Sequence, residues 1–471
     1  MASLTFYGGI KEIGGNKILL QDRDTRVFLD FGMSFGKRNM FFEEFLTPRT
    51  ANGIGDFLEM GLIPDIKGVY RNDLLTHFGR KAEECEIDAV LLSHAHADHA
   101  NYICFLNEEI PVYCGQAAKG ILDAVQETSQ RKIENEVINF KKRPLFRKDF
   151  KAPPVERSFR LFKTGDKLKI GSIEVEPVHV DHSVPGAYGF IIHTSEGTVV
   201  YTGDLRLHGN NPKMTHDFVK KAQDAKPDVM ITEGTRIGSK KDDRTEEAVY
   251  AESSKIAKQT QGMVLADFNF KDVDRLRTFY RIAKEAGKKM VISFKHACYL
   301  EKYSKDRKLN CPESKDENIL ILKPKRMTGT YDERDYAEKY IKERLDYPNV
   351  VTAEEVRKKQ DNYLVVLNFW YFNELVDLKP VKGSTYIHSS SEPFNEEMEI
   401  SEQRADNWLA KFNLRREQSH CSGHACGQDL KELIKAVDPK VLYPIHTEKP
   451  GKFRDLTMKT RMVKEGQKYD V

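Results

Sequence analysis

Between Ser93 and His99 the chain reads Ser-His-Ala-His-Ala-Asp-His, which places three imidazoles and a carboxylate within six positions. Residues i and i+2 point the same way on an extended chain, so His94 and His96 can grip one cation. Asp98 and His99 follow at a strand-to-helix turn and can face a second. Imidazole together with carboxylate is the ligand mixture that borderline divalent ions such as zinc accept. Ala and Ser spacers leave room for the rings, and the apolar run Ala89-Val-Leu-Leu92 comes directly before. A histidine-rich solvent loop does not need such a strand. The spacing therefore points to metal-assisted hydrolysis, in which a bound cation lowers the pKa of water from 15.7 to about 7.

The surrounding elements must hold that segment in place. From Leu4 to about Asp204 the chain is strand-rich, with apolar or alternating runs such as NKILLQ, RVFLDFG, IEVEPVHV, GFIIHT and TVVYTGD. Gly197 marks a tight connection between the last two. Ala118, Ile121, Leu122 and Val125 recur at helical spacing after Gly115. Beyond about Asn211 strands and helices alternate, which predicts a parallel sheet and an α/β domain. Val273, Leu276, Tyr280 and Ala283 share one face of a helix over Asp272 to Ala286, and Thr352 with Glu355 forms a capping-box start. The last segment reads as a helix, a turn at Asp438-Pro439 and a strand delivering His446. Phe45 to Glu84 reads as a decorated loop or small insertion.

Composition bounds the rest. The 471 residues carry 75 Lys+Arg against 72 Asp+Glu, a net charge of +3, with 39% hydrophobic and 31% charged residues. That length suggests two or three domains with their own cores. The longest apolar stretch, Tyr363 to Phe372, is interrupted by Asn368 and falls short of a bilayer span. The first residues lack a basic region followed by an apolar one, so no secretion signal is expected. Seven cysteines form no CxxC pair, which fits a reduced, cytoplasmic setting. Cys421 and Cys426 read as free thiols. Trp370 and Trp408 read as core residues, and His193, His208, His216 and His296 as ordinary surface or core histidines. A polycation is excluded, yet a local basic groove is not. Asn139 to Lys151 interleaves Lys141, Lys142, Arg143, Arg147, Lys148 and Lys151 with Phe140, Phe146 and Phe150, a pattern that suits a single nucleic-acid strand as well as a solvated loop. Lys323, Lys325 and Arg326 form a smaller cluster of the same kind.

The HxHxDH string resembles the signature of the metallo-β-lactamase superfamily. That resemblance implies a third histidine and a bridging aspartate from later strands. His179 lies inside its strand and His182 at its end, where a ligand belongs, so His182 is the choice. Asp204 of Tyr201-Thr-Gly-Asp204 fits the bridging carboxylate, and Asp30 fits an orienting group behind the ligands. Further on, Glu233, His424 of Ser422-Gly-His-Ala425 and His446 resemble the additional motifs of the β-CASP nucleases. The HSVPG, TGD and SGHA strings are most similar to ribonuclease J, and the likeness runs from the first strand to His446. Two features depart from it: His446-Thr-Glu448 stands where HGE is common, and the chain ends soon after, as in compact archaeal-type members.

The resemblance implies an αββα sandwich with an inserted β-CASP α/β domain: residues 1–211, then 212–428 for the insertion, then 429–471 returning. It implies two zinc ions, with manganese or another divalent ion as the alternative. His94, His96 and His182 would hold one, Asp98, His99 and His446 the other, with Asp204 shared. Asp98 and Asp204 would thus belong to the catalytic set. His424 would be the general acid, oriented by Glu233. His388, Ser389, Ser390, His420 and Ser422 would receive a 5′-monophosphate end. The implied activity is 5′→3′ exonuclease action on single-stranded RNA, with endonuclease action alongside and a homodimer as one expected assembly. A different hydrolase of the superfamily and a catalytically silent RNA-binding subunit are the competing expectations.

Overall fold

The structure is a computed structural model and describes residues 1–43, 45–130, 132–145, 153–239, 244–391 and 396–471. Two compact units emerge, and each is built around its own sheets.

The first unit contains residues 1–207, 211–242 and 423–471. One sheet has the strand order Lys468–Asp470, Ala2–Gly8, Lys17–Asp22, Thr25–Phe31, Ala89–Leu91, Val112–Gly115, Phe159–Phe162. Pairing is antiparallel up to Thr25–Phe31 and parallel from there on. The other sheet has the order Val441–Pro444, Val229–Thr232, Thr198–Tyr201, Tyr188–His193, Ile173–His179, Leu168–Ile170. Leu4, Phe6, Ile18, Leu20, Val27 and Leu29 of the first sheet are buried in one core with Val175, Phe190, Ile192, Val199, Tyr201 and Ile231 of the second. The alternate residues face outward. Phe28 and Phe31 meet at 5.0 Å, and Phe31 meets Tyr70 at 6.4 Å, so the segment expected as a decorated loop helps cover the outer face. It carries two short helices, Gly55–Glu59 and Asn72–His77. On the far face of the second sheet, Phe218 and Ala222 of helix Pro212–Asp224 and Leu430, Leu433 and Ile434 of helix Gly427–Val437 share a core with Val200, Met230 and Leu442. Helices on both outer faces complete the αββα sandwich.

The expected domain borders shift. Strand Val229–Thr232 lies between Thr198–Tyr201 and Val441–Pro444 and is parallel to both. Its buried backbone groups need both neighbours. Residues 212–242 therefore belong to the sandwich rather than to the insertion, and the return begins at Gly423 rather than 429.

The second unit, residues 208–210 and 243–422, is built on an all-parallel sheet. Its order is Val350–Thr352, Ile319–Lys323, Lys289–Ser293, Tyr363–Val366, Val264–Asp267, Thr385–His388, Arg415–Gln418. The inner strands are nearly continuous apolar runs, as burial on both faces requires, whereas the edge strand Arg415–Gln418 is polar. Asp272 caps helix Val273–Glu285, and Thr352 with Glu355 closes a capping box on helix Ala353–Lys358. Trp408 packs on Phe412 and Phe372, but Trp370 is 72% exposed and is not a core residue. Its periodicity looked apolar because the 3-10 turn Phe369–Glu374 buries Phe372 instead. Among the described residues no helix is long and apolar enough to cross a membrane.

Candidate metal centre

Strands Ile173–His179, Thr198–Tyr201, Val229–Thr232 and Val441–Pro444 run in one direction, so their carboxyl ends lie along one edge of the second sheet. The residues just past those ends are His182, Asp204, Glu233 and His446. In the first sheet, the loop after strand Ala89–Leu91 brings His94 and His96, and the short helix Ala97–Ala100 brings Asp98 and His99. All seven side chains expected as ligands converge.

His94, His96, His182 and Asp204 form one group of donor atoms, and Asp98, His99 and His446 another, each within 4.8 Å of one another. His96 Nδ1 is 3.1 Å from both His94 Nε2 and His182 Nε2. Asp204 Oδ2 stands 3.6 Å from His94 Nε2, 3.9 Å from His182 Nε2, 3.1 Å from His99 Nε2 and 3.5 Å from His446 Nε2. His446 Nε2 is 3.1 Å from Asp98 Oδ2. Donors about 2.0–2.1 Å from a tetrahedral ion lie roughly 3.3 Å apart, and these spacings bracket that value. Asp204 is 1% exposed, yet neither carboxylate oxygen has a hydrogen-bond partner, and neither does His99 Nε2. Buried polar atoms are rarely left so. This donor set fits divalent cations.

The far nitrogens of the rings are held. Asp30 Oδ2 faces His99 Nδ1 at 2.7 Å, Thr235 Oγ1 faces His446 Nδ1 at 2.9 Å, and His182 Nδ1 donates to the Gly423 carbonyl at 2.6 Å. Ser93 Oγ lies 3.0 Å from His94 Nδ1 and donates to Asp30 at 2.7 Å, and Tyr201 donates to the same carboxylate at 2.6 Å. Asp30 thus stands behind the clustered rings. Such partners fix tautomer and ring orientation. Ser93, Tyr201 and Thr235 are positioning groups that the motifs did not single out. Ser93 and Tyr201 adjoin recognised strings, so adjacency was the available signal. His179 stacks on Tyr188 at 4.0 Å, outside the cluster.

Burial and the neighbouring rings hold His94 and His182 well below the usual imidazole range, which leaves lone pairs for a cation. His424 differs. Burial opposes its charge, but the Glu233 carboxylate, with both oxygens 3.1 Å from Nδ1, overrides this and raises the pKa to about 9. Its Nδ1 is 3.9 Å from Asp204 Oδ2, so an ionisable proton donor borders the cluster. Glu233 is fixed in turn by the amides of Leu205 and Thr235.

The second unit holds the residues expected at an RNA end. His388 is half-buried, with Nδ1 3.1 Å from Asp267 Oδ2. With Ser390 it lines a cavity of about 460 Å³ whose walls include Phe268, Phe270, Lys295 and Trp370. His420 is half-buried beside Arg275, and the Ser422 carbonyl takes a hydrogen bond from His208. Ser389 does not fit the expectation. It is 2% exposed, and its hydroxyl is committed to the Ser419 carbonyl and Arg275, so it presents nothing to a ligand.

In the basic segment, Phe140 is buried between Arg71 and Arg157 and cannot stack on a base, while Arg143 pairs with Glu136. Phe146, Arg147, Lys148, Phe150 and Lys151 lie outside the described residues. Lys325 and Arg326 are neutralised by Glu354, Asp377 and Glu338, and Lys323 is bound to the Tyr331 carbonyl.

A beta-lactamase superfamily domain matches residues 64–258, and a Zn-dependent metallo-hydrolase RNA specificity domain matches residues 410–461. Ribonuclease J of Helicobacter pylori is 21% identical over 94% of this chain and 56% of its own length. The chain thus spans little more than half of that relative. Ribonuclease J of Mycoplasma genitalium is 24% identical over 94% of this chain and 67% of its own, and that of Pyrococcus abyssi 22% identical over 99% and 93%. A crystal structure of a protein of unknown function from Enterococcus faecalis superposes over 100% of both chains, with a TM-score of 0.75 and 26% identity. These matches make the chain similar to ribonuclease J-like members of the metallo-β-lactamase superfamily.

Proposed function

We propose that this chain is a metal-dependent ribonuclease that hydrolyses phosphodiester bonds of single-stranded RNA from a 5′-monophosphorylated end, in the 5′→3′ direction. The supporting observation is the buried Asp204 carboxylate, ringed by five imidazoles and bordered by the His424–Glu233 pair. His94, His96 and His182 would hold one cation and Asp98, His99 and His446 a second, with Asp204 between them. Bound cations would acidify a water and offset charge on the phosphate. His424, kept protonated by Glu233, donates to the departing 3′ oxygen. Leu205 and Thr235 amides hold Glu233, and Thr235 also holds His446, so acid and ligand are set by one loop. In the second unit His388, Ser390, His420 and Ser422 offer hydrogen-bond donors to the 5′ phosphate. Among the described residues the cysteines form no disulfide, which suits a cytoplasmic enzyme.

Elemental analysis tests the centre: about two zinc or manganese ions per chain are expected, and loss of both binding and hydrolysis in His96→Ala. Labelled RNA with a 5′-monophosphate should yield mononucleotides from that end, faster than a triphosphate substrate. Hydrolysis at an unchanged rate in His96→Ala, or no hydrolysis of either RNA by the metal-loaded chain, refutes the proposal.

A further inference from the structure

The parallel sheet of the second unit reverses its winding at one place. Strand Val264–Asp267 is followed by helix Val273–Glu285 and then by strand Lys289–Ser293. Tyr363–Val366 lies between those two strands, and it is followed by Thr385–His388 on the opposite flank of Val264–Asp267. The connections leaving two adjacent strands therefore part, and open α/β sheets bind ligands in the crevice this leaves at the carboxyl ends. The cavity of about 460 Å³ lies at those ends. Asn269 and Phe270 follow one strand, Asn368 and Trp370 the other, and Lys295 comes just after Lys289–Ser293. Its walls belong wholly to the second unit.

The walls specify an occupant. Phe270 is stacked flat on His296, with ring centres 4.1 Å and planes 7° apart, so an aromatic wall is in place beforehand. Trp370 presents a large flat ring to solvent, which a flat partner would cover. Asn269 and Asn368 accept from the amides of Lys271 and Trp370 at 3.1 Å. Each carboxamide thus has its oxygen committed and keeps N–H donors for the ring nitrogens and carbonyls of a heteroaromatic. The half-buried Lys295 ammonium has no carboxylate partner among the described residues, and burial pushes its pKa below the usual lysine range. The carboxylates of the cavity are already answered: Asp267 accepts from Tyr386 and faces His388, and Glu402 pairs with Arg416. An anion beside Lys295 is therefore favoured. We infer that this cavity is a nucleotide site, in which a nucleoside 5′-phosphate lays its base on Trp370 and sets its phosphate beside Lys295. Stacking on an aromatic face accepts any base, and a lysine meets phosphate as a point charge. A free mononucleotide and an RNA 5′ end both carry this chemistry. His388 and Ser390 line the cavity but His420 and Ser422 do not, so the site extends beyond the phosphate contacts proposed above.

The chain has two tryptophans, so Trp370→Phe leaves only the signal of Trp408. Titrating the full chain with AMP should quench tryptophan fluorescence saturably, and Trp370→Phe should lose that quenching. Adenosine, which lacks the phosphate, should bind about tenfold more weakly. Lys295→Met should bring AMP to the affinity of adenosine and leave adenosine unchanged. Absence of saturable quenching by AMP, or equal affinities for AMP and adenosine in the unsubstituted chain, overturns the inference. Undiminished AMP binding by folded Lys295→Met does so too. If that variant fails to fold, the comparison of AMP with adenosine decides alone. A 5′-phosphorylated tetranucleotide with phosphorothioate linkages, which resist hydrolysis, separates the two sources. Displacement of AMP by it assigns the site to the RNA end as well, and no displacement assigns it to the free nucleotide. None of these titrations involves hydrolysis, so their failure leaves the nuclease reading standing, and an inactive chain that binds AMP leaves this inference standing.

Discussion

Asp30 and His446 adopt φ angles of 58° and 51°, a left-handed backbone that costs a residue with a Cβ about 1–2 kcal/mol. Both sit where side chains must turn into the cluster, and such strain persists only where surroundings over-determine it. Asp30 takes bonds from the Ser93 amide and hydroxyl and from Tyr201, and faces His99. Asp30→Asn should therefore keep the fold yet lower cation affinity about 10–100-fold, measurable by competition with a chelator. Glu233→Gln removes the charge that raises the His424 pKa. The acid then loses its proton at lower pH, so the alkaline limb of the rate profile should move to lower pH. Hydrolysis should fall about 10²-fold, with cation content unchanged. A profile that does not move would remove His424 from the role of acid.

At the level of elements, close backbone approach sets the ligand geometry. A Cβ on Gly32 would lie 1.7 Å from the Asp98 carbonyl, and one on Gly14 would lie 2.5 Å from the Asp98 Cβ. The loop Gly8–Gly15 and strand Thr25–Phe31 thus press on the short helix that carries Asp98 and His99, and Asn16 and Met33 donate to its carbonyls. Gly32→Ala should displace Asp98 and reduce the bound cations from about two to one per chain, read by elemental analysis. A second expectation concerns the turn Phe369–Glu374. Burial, and then the nearby Asp377, raise the Glu374 pKa to about 7. Its unfolded counterpart releases its proton near 4.5. Between those values the native state holds the extra proton, so stability falls as pH rises from about 4.5 to 7. Glu374→Gln should then be more stable than the parent by on the order of 1–3 kcal/mol at about pH 8, and nearly equal at about pH 5. Urea midpoints at the two pH values measure the difference.

For the molecule as a whole, the candidate ligands come from segments as far apart as His94 and His446, all within the first unit. Cations that bind only the folded sandwich stabilise it by mass action, about 4 kcal/mol at a thousandfold excess over Kd. Chelation should accordingly lower the melting transition of the first unit and leave that of the second in place, as followed by calorimetry. A uniform shift of both, or of neither, would contradict a centre confined to the sandwich.

The linear chain already determined which donors could meet at the site. Five imidazoles and two aspartates stand in strings whose local spacing constrains them, and the strands before His94, His182, Asp204 and His446 could be read from their apolar runs. Helix Val273–Glu285 and the capping box at Thr352 were legible for the same reason, since caps and periodicity act over a few residues. Strand Val229–Thr232 was assigned to the wrong domain because parallel partners are non-local and leave no mark on its own sequence. Ser389 looked like a donor for a ligand, and Phe140 like a base-stacking face, until burial and partners were known. Residue type fixes which bonds a group can make. Only the folded chain decides which of those bonds are already taken, because that depends on neighbours a hundred or more residues away.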